Sequence, residues 1–322
     1  MVFKKIKHVV DLFYERDSPW LRIFLSLHLD LLLDVNFLKG EDKTGQRVIK
    51  LVTIGKEPWV DYAAELFLKN PCFRGFIGRT SLAKVLTGAA FIDSYSPDIV
   101  IVRINRIFGR FLSRQGFGGV PEWVDFREKV SELSSHAACF MKKIESEIVT
   151  QQRYSCQIKN NPSDLEFFYS EMYKPYIKQR FGKYAKVSSL FYLRGLLARG
   201  SLLFALKDGR PVSGLLYYVK NKEIFFARVG IDGGNPKLIK EGALQALYYF
   251  FTKMILPSFK PGDTVNLGAT RPFINDGLFQ YKRKWCSPGL NRDNYPYNLY
   301  FRFKNPKDAI HFLKNNPCLS YD

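Results

Sequence analysis

The chain has 322 residues, 46% hydrophobic and 16% aromatic, which excludes a polypeptide too short or too polar to bury a core. One large domain or two of ordinary size fit that length. Its 49 Lys and Arg against 30 Asp and Glu leave a net charge of +19, a field that attracts anions: nucleic acid, an acidic membrane surface or a phosphate-bearing ligand.

Residues 1–10 are basic, but no uninterrupted apolar stretch or small-residue cleavage site follows, so a signal peptide is not expected. Residues 20–38 form the most apolar N-terminal stretch. Arg22, His28, Asp30 and Asp34 interrupt it, and it predicts a helix rather than a membrane span. A strand is predicted over 47–54, a helix over 59–68 with Pro58 at its first turn, and a buried β-branched strand over 98–103. Residues 104–114 are basic and amphipathic, and 131–152 predict a polar helix bridging two halves, 1–143 and 144–322. Such alternation reads as α/β. The five cysteines (Cys72, Cys139, Cys156, Cys286, Cys318) are scattered and odd in number with no CxxC pair, the pattern of free thiols in a reducing cytoplasm.

The second half is more sharply punctuated. Ser163 to Glu166 form a capping box after Pro162, and Leu165, Phe168, Met172, Tyr173 and Tyr176 recur at helical spacing, so a helix starts here and kinks or ends before Pro175. A second helix is predicted over 188–199. Strands over 201–206, 211–219 and 223–229 follow, joined by the hairpin dipeptides Asp208-Gly209 and Asn221-Lys222. A glycine-rich loop over 230–236 leads into an apolar helix, 237–256, stopped by Pro257; it carries Lys253 and is too short to span a bilayer. A strand over 264–267, a short basic helix over 276–284 and a last strand over 297–303 complete the half.

Two helices, three antiparallel strands, a loop, a long helix and a further strand make the element order of a GNAT acyltransferase domain. Residues 167–182 (FFYSEMYKPYIKQRFG) and 266–285 (NLGATRPFINDGLFQYKRKW) are similar to segments of FemABX-like proteins, which pair two GNAT-type domains. The likeness covers 144–303; before it, only residues 99–117 and Pro121-Glu122-Trp123 contribute. It implies an α/β (α+β) fold with mixed, largely antiparallel GNAT-type sheets flanked by helices, in two GNAT-like halves of which the N-terminal one is degenerate. The implied activity moves an acetyl or aminoacyl group from acyl-CoA or aminoacyl-tRNA to an amine of a sugar, amino acid or peptide-like cell-envelope precursor.

Several residues carry that expectation. The usual Q/R-x-x-G-x-G/A donor loop is replaced here by residues 229–237 (VGIDGGNPK), whose spacing differs. Val229, Gly230, Ile231, Gly233, Gly234 and Lys237 are the candidates for donor binding, since glycine permits close backbone approach and lysine adds charge. Tyr281 lies in the element from which GNAT enzymes supply an acid; packing is its alternative role. Asp276 is the candidate base, or else a turn residue in Asn275-Asp276-Gly277. Tyr173, Arg180, Arg228, Arg271 and Lys284 are candidates for holding an anionic substrate. Arg228, in a hydrophobic strand, needs either a ligand or a structural ion pair, and the run 282–284 also fits a solvated basic face.

Other motifs carry nothing. Ser81-x-x-Lys84 and Lys43-Thr44-Gly45 stand in the wrong order for a penicillin-binding serine site, and no partner at ligand spacing attends His8, His28, His136 or His311, so no metal site is expected. Two other functions stay open. The charge fits a nucleic-acid-binding protein, although no helix-turn-helix, zinc-finger or RRM signature appears, and tRNA as donor would reconcile charge with transfer. The irregular loop fits a GNAT-like scaffold without catalysis.

Overall fold

Alternation along residues 33–37, with Leu33 and Val35 fully buried, sets the first described element as a strand. The computed structural model describes residues 31–55, 66–88, 94–182, 185, 187–289 and 296–320. Two compact units emerge, one from residues up to 124 with 271–276 and those from 290 onward, the other from 125–270 and 277–289. Position 143/144, the expected division, falls inside a helix of the second unit, Val130–Ile144.

In the first unit the strands are β1 (Leu32–Asp42), β2 (Val48–Ile54), β3 (Leu68–Ser81), β4 (Ile99–Asn105), β5 (Gly118–Pro121) and, from late in the chain, β13 (Tyr297–Phe303). They line up as β3-β1-β2-β4-β13-β5. β1 corrects the helix expected over 20–38: from Leu32 the chain is extended, because pairing with β2 on one side and β3 on the other outweighs the local helix preference of its leucines. The part of that expectation before residue 31, and most of the helix expected over 59–68, lie outside the described residues. β4 is the buried β-branched strand expected there, covered on both faces: Ile99 and Ile101 enter one core with Leu51, Leu299 and Phe301, and Val100 and Val102 enter the other with Val35 and Val52. β13, expected as the last strand of the C-terminal half, instead pairs antiparallel with β4 and β5 in this sheet.

The second unit holds β6 (Val124–Lys129), β7 (Tyr154–Lys159), β8 (Gly200–Lys207), β9 (Arg210–Lys220), β10 (Glu223–Ile231), β11 (Thr264–Thr270) and β12 (Pro288–Gly289), in the order β12-β6-β11-β10-β9-β8-β7. β8, β9 and β10 form the expected antiparallel meander. Its turns have positive φ at both central residues, 49° and 77° at Asp208 and Gly209, 51° and 62° at Asn221 and Lys222, the twist that two-residue hairpins require. β11 returns parallel to β10. Each unit is thus a mixed sheet with helices against it, and each sheet has a parallel pair, β2 with β4 and β10 with β11.

Two helices depart from their sequence outlines. The helix after Pro162 does not end at Pro175: α1 (Pro162–Phe167) passes through a wide, π-helical turn at Phe168–Tyr173 into α2 (Lys174–Phe181), and Pro175 sits in the first turn of α2, where its missing N–H costs nothing. The second predicted helix forms as α3 (Leu190–Leu197), with Ser189 accepting from the Tyr192 N–H as its cap. The helix expected over 237–256 breaks into α4 (Pro236–Lys240) and α5 (Ala243–Phe250), because Gly242 takes a left-handed φ of 91°. The expected basic helix is α6 (Gly277–Lys282).

Candidate functional site

β10 and β11 are held together at one end only. Glu223, the first residue of β10, accepts from Arg127 at 2.6 Å and from the Asn266 side chain of β11 at 2.9 Å. Pairing runs from Glu223 with Thr264 to Phe225 with Asn266 and stops there, although both strands continue. A bulge at Ala227 shifts the register of β10 against β9, and Gly268, at φ 77°, turns β11 while its N–H donates to Asn266 Oδ1 at 2.7 Å. The strands part from that point, and such an opening exposes backbone and side chains between two strands to a ligand.

A chain of aromatic rings starts at the opening. Phe226, beside the bulge, packs on Tyr248 of α5 at 5.0 Å, and Tyr248 meets Tyr281 of α6 edge-on at 5.2 Å and Trp285 at 5.2 Å. The Tyr281 hydroxyl is buried and its proton meets no acceptor, while the Trp285 indole N–H faces its oxygen. Burial holds the Tyr281 phenol well above its ordinary pKa, Tyr248 adds to the rise and the Trp285 N–H eases part of it; Tyr248 is itself pushed up by burial and, in second place, by Tyr176. On α2, Arg180 donates to Tyr176 Oη at 2.9 Å and eases part of the rise at Tyr248. Of the predicted residues, Tyr281 and Arg180 thus join one cluster. Tyr176, Tyr248 and Trp285 were not singled out: in the sequence they are apolar-face positions of helices, and only a buried polar tip distinguishes them.

Arg228 sits past the bulge. Its Nε and Nη2 donate to Ser188 Oγ at 3.0 and 2.8 Å, its Nη1 donates to the Ala227 carbonyl at 2.6 Å, and its guanidinium lies 5.5 Å from the centre of the Tyr192 ring. No carboxylate among the described residues pairs with it. Tyr173 fixes the same segment: 2% exposed, it accepts from the Ser188 N–H at 3.1 Å. Tyr173 therefore positions Ser188, which in turn positions Arg228.

The glycines of the loop are used for packing. A Cβ on Gly230 would lie 2.7 Å from the Tyr173 nitrogen, and one on Gly234, at φ 68°, 2.9 Å from the Pro175 carbonyl oxygen. Val229 and Ile231 are ladder residues of β10, opposite Leu215 and Ser213. Gly233 closes the turn into α4 with φ 56° and no atom near it. Asn235 Oδ1 already accepts from the Lys237 N–H at 2.9 Å, and the Lys237 side chain is 80% exposed with Nζ 3.8 Å from Glu241. Partial burial, then the Glu171 carboxylate, push the Asp232 carboxyl upward in pKa.

The remaining candidates lie elsewhere. Arg271 and Asp276 belong to the first unit, whereas Tyr281 and Lys284 belong to the second. Arg271 lies 4.0 Å from the centre of the Trp123 ring and 3.3 Å from Glu122, a carboxylate shared with Arg103 at 2.9 Å. Asp276 makes a turn, its N–H donating to the Phe273 carbonyl at 3.0 Å. Lys284 is exposed, 5.2 Å from the Phe140 ring, whereas the buried Lys282 donates to the Ala269 carbonyl at 3.2 Å. Among the described residues no group of three or more His, Cys, Asp or Glu is placed to hold a metal, and no helix is long and apolar enough to cross a membrane.

No family model and no curated protein matches the chain. Among solved structures, it is similar to the C-terminal DUF2156 domain of a protein described as a lysylphosphatidylglycerol synthetase, from Agrobacterium fabrum: 12% identity over 97% of this chain and 95% of that one, TM-score 0.42. L-PGS from Bacillus licheniformis is 12% identical, with 87% and 88% covered and a TM-score of 0.36. FemX is 11% identical, with 89% and 92% covered and a TM-score of 0.38.

Proposed function

We propose that the chain is an acyltransferase that moves an aminoacyl group from aminoacyl-tRNA to an amine of a small or cell-envelope precursor acceptor, with its chemistry at Tyr281. The observation that carries this reading is the buried Tyr281 hydroxyl, whose proton meets no acceptor, in the ring cluster that starts where the pairing of β10 and β11 ends. A buried hydroxyl proton without an acceptor costs roughly 1–3 kcal/mol, a cost a purely structural tyrosine has no reason to keep. Held neutral by burial, it donates a proton to the atom that leaves the acyl carbon.

The loop supports the choice of donor. Gly230 packs on the wide turn before α2, Gly234 packs on α2, and the lysine lies near Glu241, which leaves little to grip the diphosphate of acyl-CoA. A donor with a long phosphate backbone suits a net charge of +19 instead. Arg228, lacking a carboxylate partner, holds the anionic part of the acceptor, with Ser188 fixing its plane. The free thiols of Cys139, Cys156, Cys286 and Cys318 fit a cytoplasmic setting.

The test is a donor panel: purified chain, radiolabelled aminoacyl-tRNA or acetyl-CoA, and a set of amine acceptors. Label is expected to reach an acceptor from aminoacyl-tRNA and not from acetyl-CoA. Transfer from acetyl-CoA alone would move the donor assignment to acyl-CoA, and no transfer from either would leave the scaffold reading in place of the enzyme.

A further inference from the structure

We propose that the first unit holds a binding site for a small organic phosphate, in a cleft of about 340 Å³ lined by Ser96, Pro97, Val100, Arg302 and Lys304. The site is independent of the acyl-transfer reading, since all five residues belong to the unit that carries neither Tyr281 nor Arg228. Its volume lies in the range of small-ligand pockets. β4 and β13 form one wall. Val100 and Arg302 stand opposite each other in their pairing, and Lys304, two residues on, follows Arg302 on the same side of the strand. The Lys304 N–H donates to the Asp98 carbonyl at 2.8 Å, which continues the strand pairing past its last residue.

Three kinds of donor line the cleft. The Arg302 guanidinium lies 5.1 Å from the centre of the buried Phe117 ring, a face that limits how it can turn. Lys304 is exposed, and its ammonium has no ion pair among the described residues. The carboxylate nearest to it along the strand pairing, Asp98, accepts from the Lys50 N–H at 2.8 Å instead. Ser96 supplies a hydroxyl from a backbone strained twice over. Its φ is 42°, in the left-handed region that a residue with a Cβ avoids, and it precedes Pro97, where an extended conformation is the rule. Such strain persists where the surroundings over-determine it, and it clusters at ligand sites.

The described lining thus holds two cations and no carboxylate, which calls for an anion. The donor set selects among anions. A guanidinium fork, a rotatable ammonium and a hydroxyl suit the several oxygens of a tetrahedral phosphate better than the two of a carboxylate. Pro97 and Val100 are buried and apolar, offer nothing to an oxyanion and suit an organic body attached to it. A phosphate ester of a nucleoside or of glycerol meets both demands.

The test titrates the full chain with AMP and with glycerol 3-phosphate, taking adenosine, glycerol and acetate as controls. Binding is read by calorimetry and by the amide resonances of Ser96, Val100 and Arg302 in the 15N-labelled chain. At least one phosphate is expected to give heat and move these resonances at millimolar concentration, and the controls to do neither. Which of the two binds more tightly distinguishes a nucleotide source from a glycerophosphate one. Lys304→Gln should weaken that binding about tenfold and Lys304→Arg should restore most of it, as for one charge-assisted contact at an exposed position. Both variants alter an exposed side chain only, so the fold is kept. Phosphates that leave the three resonances in place overturn the assignment. So does acetate or adenosine binding as tightly as AMP, or a Lys304→Gln chain that binds phosphate as the parent does.

Discussion

The proposed role sets function against stability at Tyr281. Tyr281→Phe keeps the ring against Tyr248 and removes a buried hydroxyl whose proton has no acceptor. We expect the variant to gain about 1 kcal/mol in denaturant unfolding, since the desolvation cost of the hydroxyl disappears. A loss of that size would mean that the hydroxyl is hydrogen-bonded in the folded chain. The same burial sets a pH dependence. A phenol near pKa 10 in the unfolded chain stays protonated in the fold well above that, so the fold binds the proton more tightly. Stability is indifferent to this group below about pH 10 and falls as pH rises past it, at up to about 1.4 kcal/mol per pH unit. Tyr154, pushed up to about 12 by burial and then by Glu241, acts in the same direction. Alkaline unfolding followed by circular dichroism should therefore be shallower in Tyr281→Phe than in the parent.

At the scale of elements, the loop from Gly230 to Lys237 separates two explanations of its glycines. If they serve packing, Gly230→Ala should destabilise the chain by about 1–3 kcal/mol, because the new Cβ meets backbone atoms of Met172 and Tyr173 that cannot move independently. Lys237→Glu should leave donor affinity within about twofold, since an exposed charge 3.8 Å from Glu241 contributes little. Calorimetric titration showing a tenfold loss in Lys237→Glu would return the loop to the donor site. The meander and its turns were legible in the sequence because Asp208-Gly209 and Asn221-Lys222 dictate local geometry. β1 was not, since Leu-rich residues satisfy either period and only pairing with distant strands decides between them. The short helix that carries Tyr281, α6, was legible from its place in the order of elements. The partners Tyr176, Tyr248 and Trp285 were not, because a polar tip buried among rings has no sequence period.

At the scale of the whole molecule, β13 completes a sheet whose first strand starts at Leu32, which no local pattern could announce. Its Leu299, Tyr300 and Phe301 are buried in the first unit, as is Phe312 of the following helix, Pro306–Asn315. Removing residues 290–322 takes all four away, and each such loss costs roughly 2–5 kcal/mol against a total stability of about 5–15 kcal/mol. Hydrogen exchange on the truncated chain should find β1 to β4 unprotected and β8 to β10 still protected. Protection retained in β4 would contradict the placement of β13.

The central claim is that acyl transfer takes place at Tyr281, and single-turnover transfer from labelled aminoacyl-tRNA to the acceptor found in the donor panel tests it most directly. With donor bound and chain in excess, the parent should form labelled product about a hundred times faster than Tyr281→Phe, while the two bind the donor equally. Equal single-turnover rates in the two chains would contradict the account and return Tyr281 to a packing role.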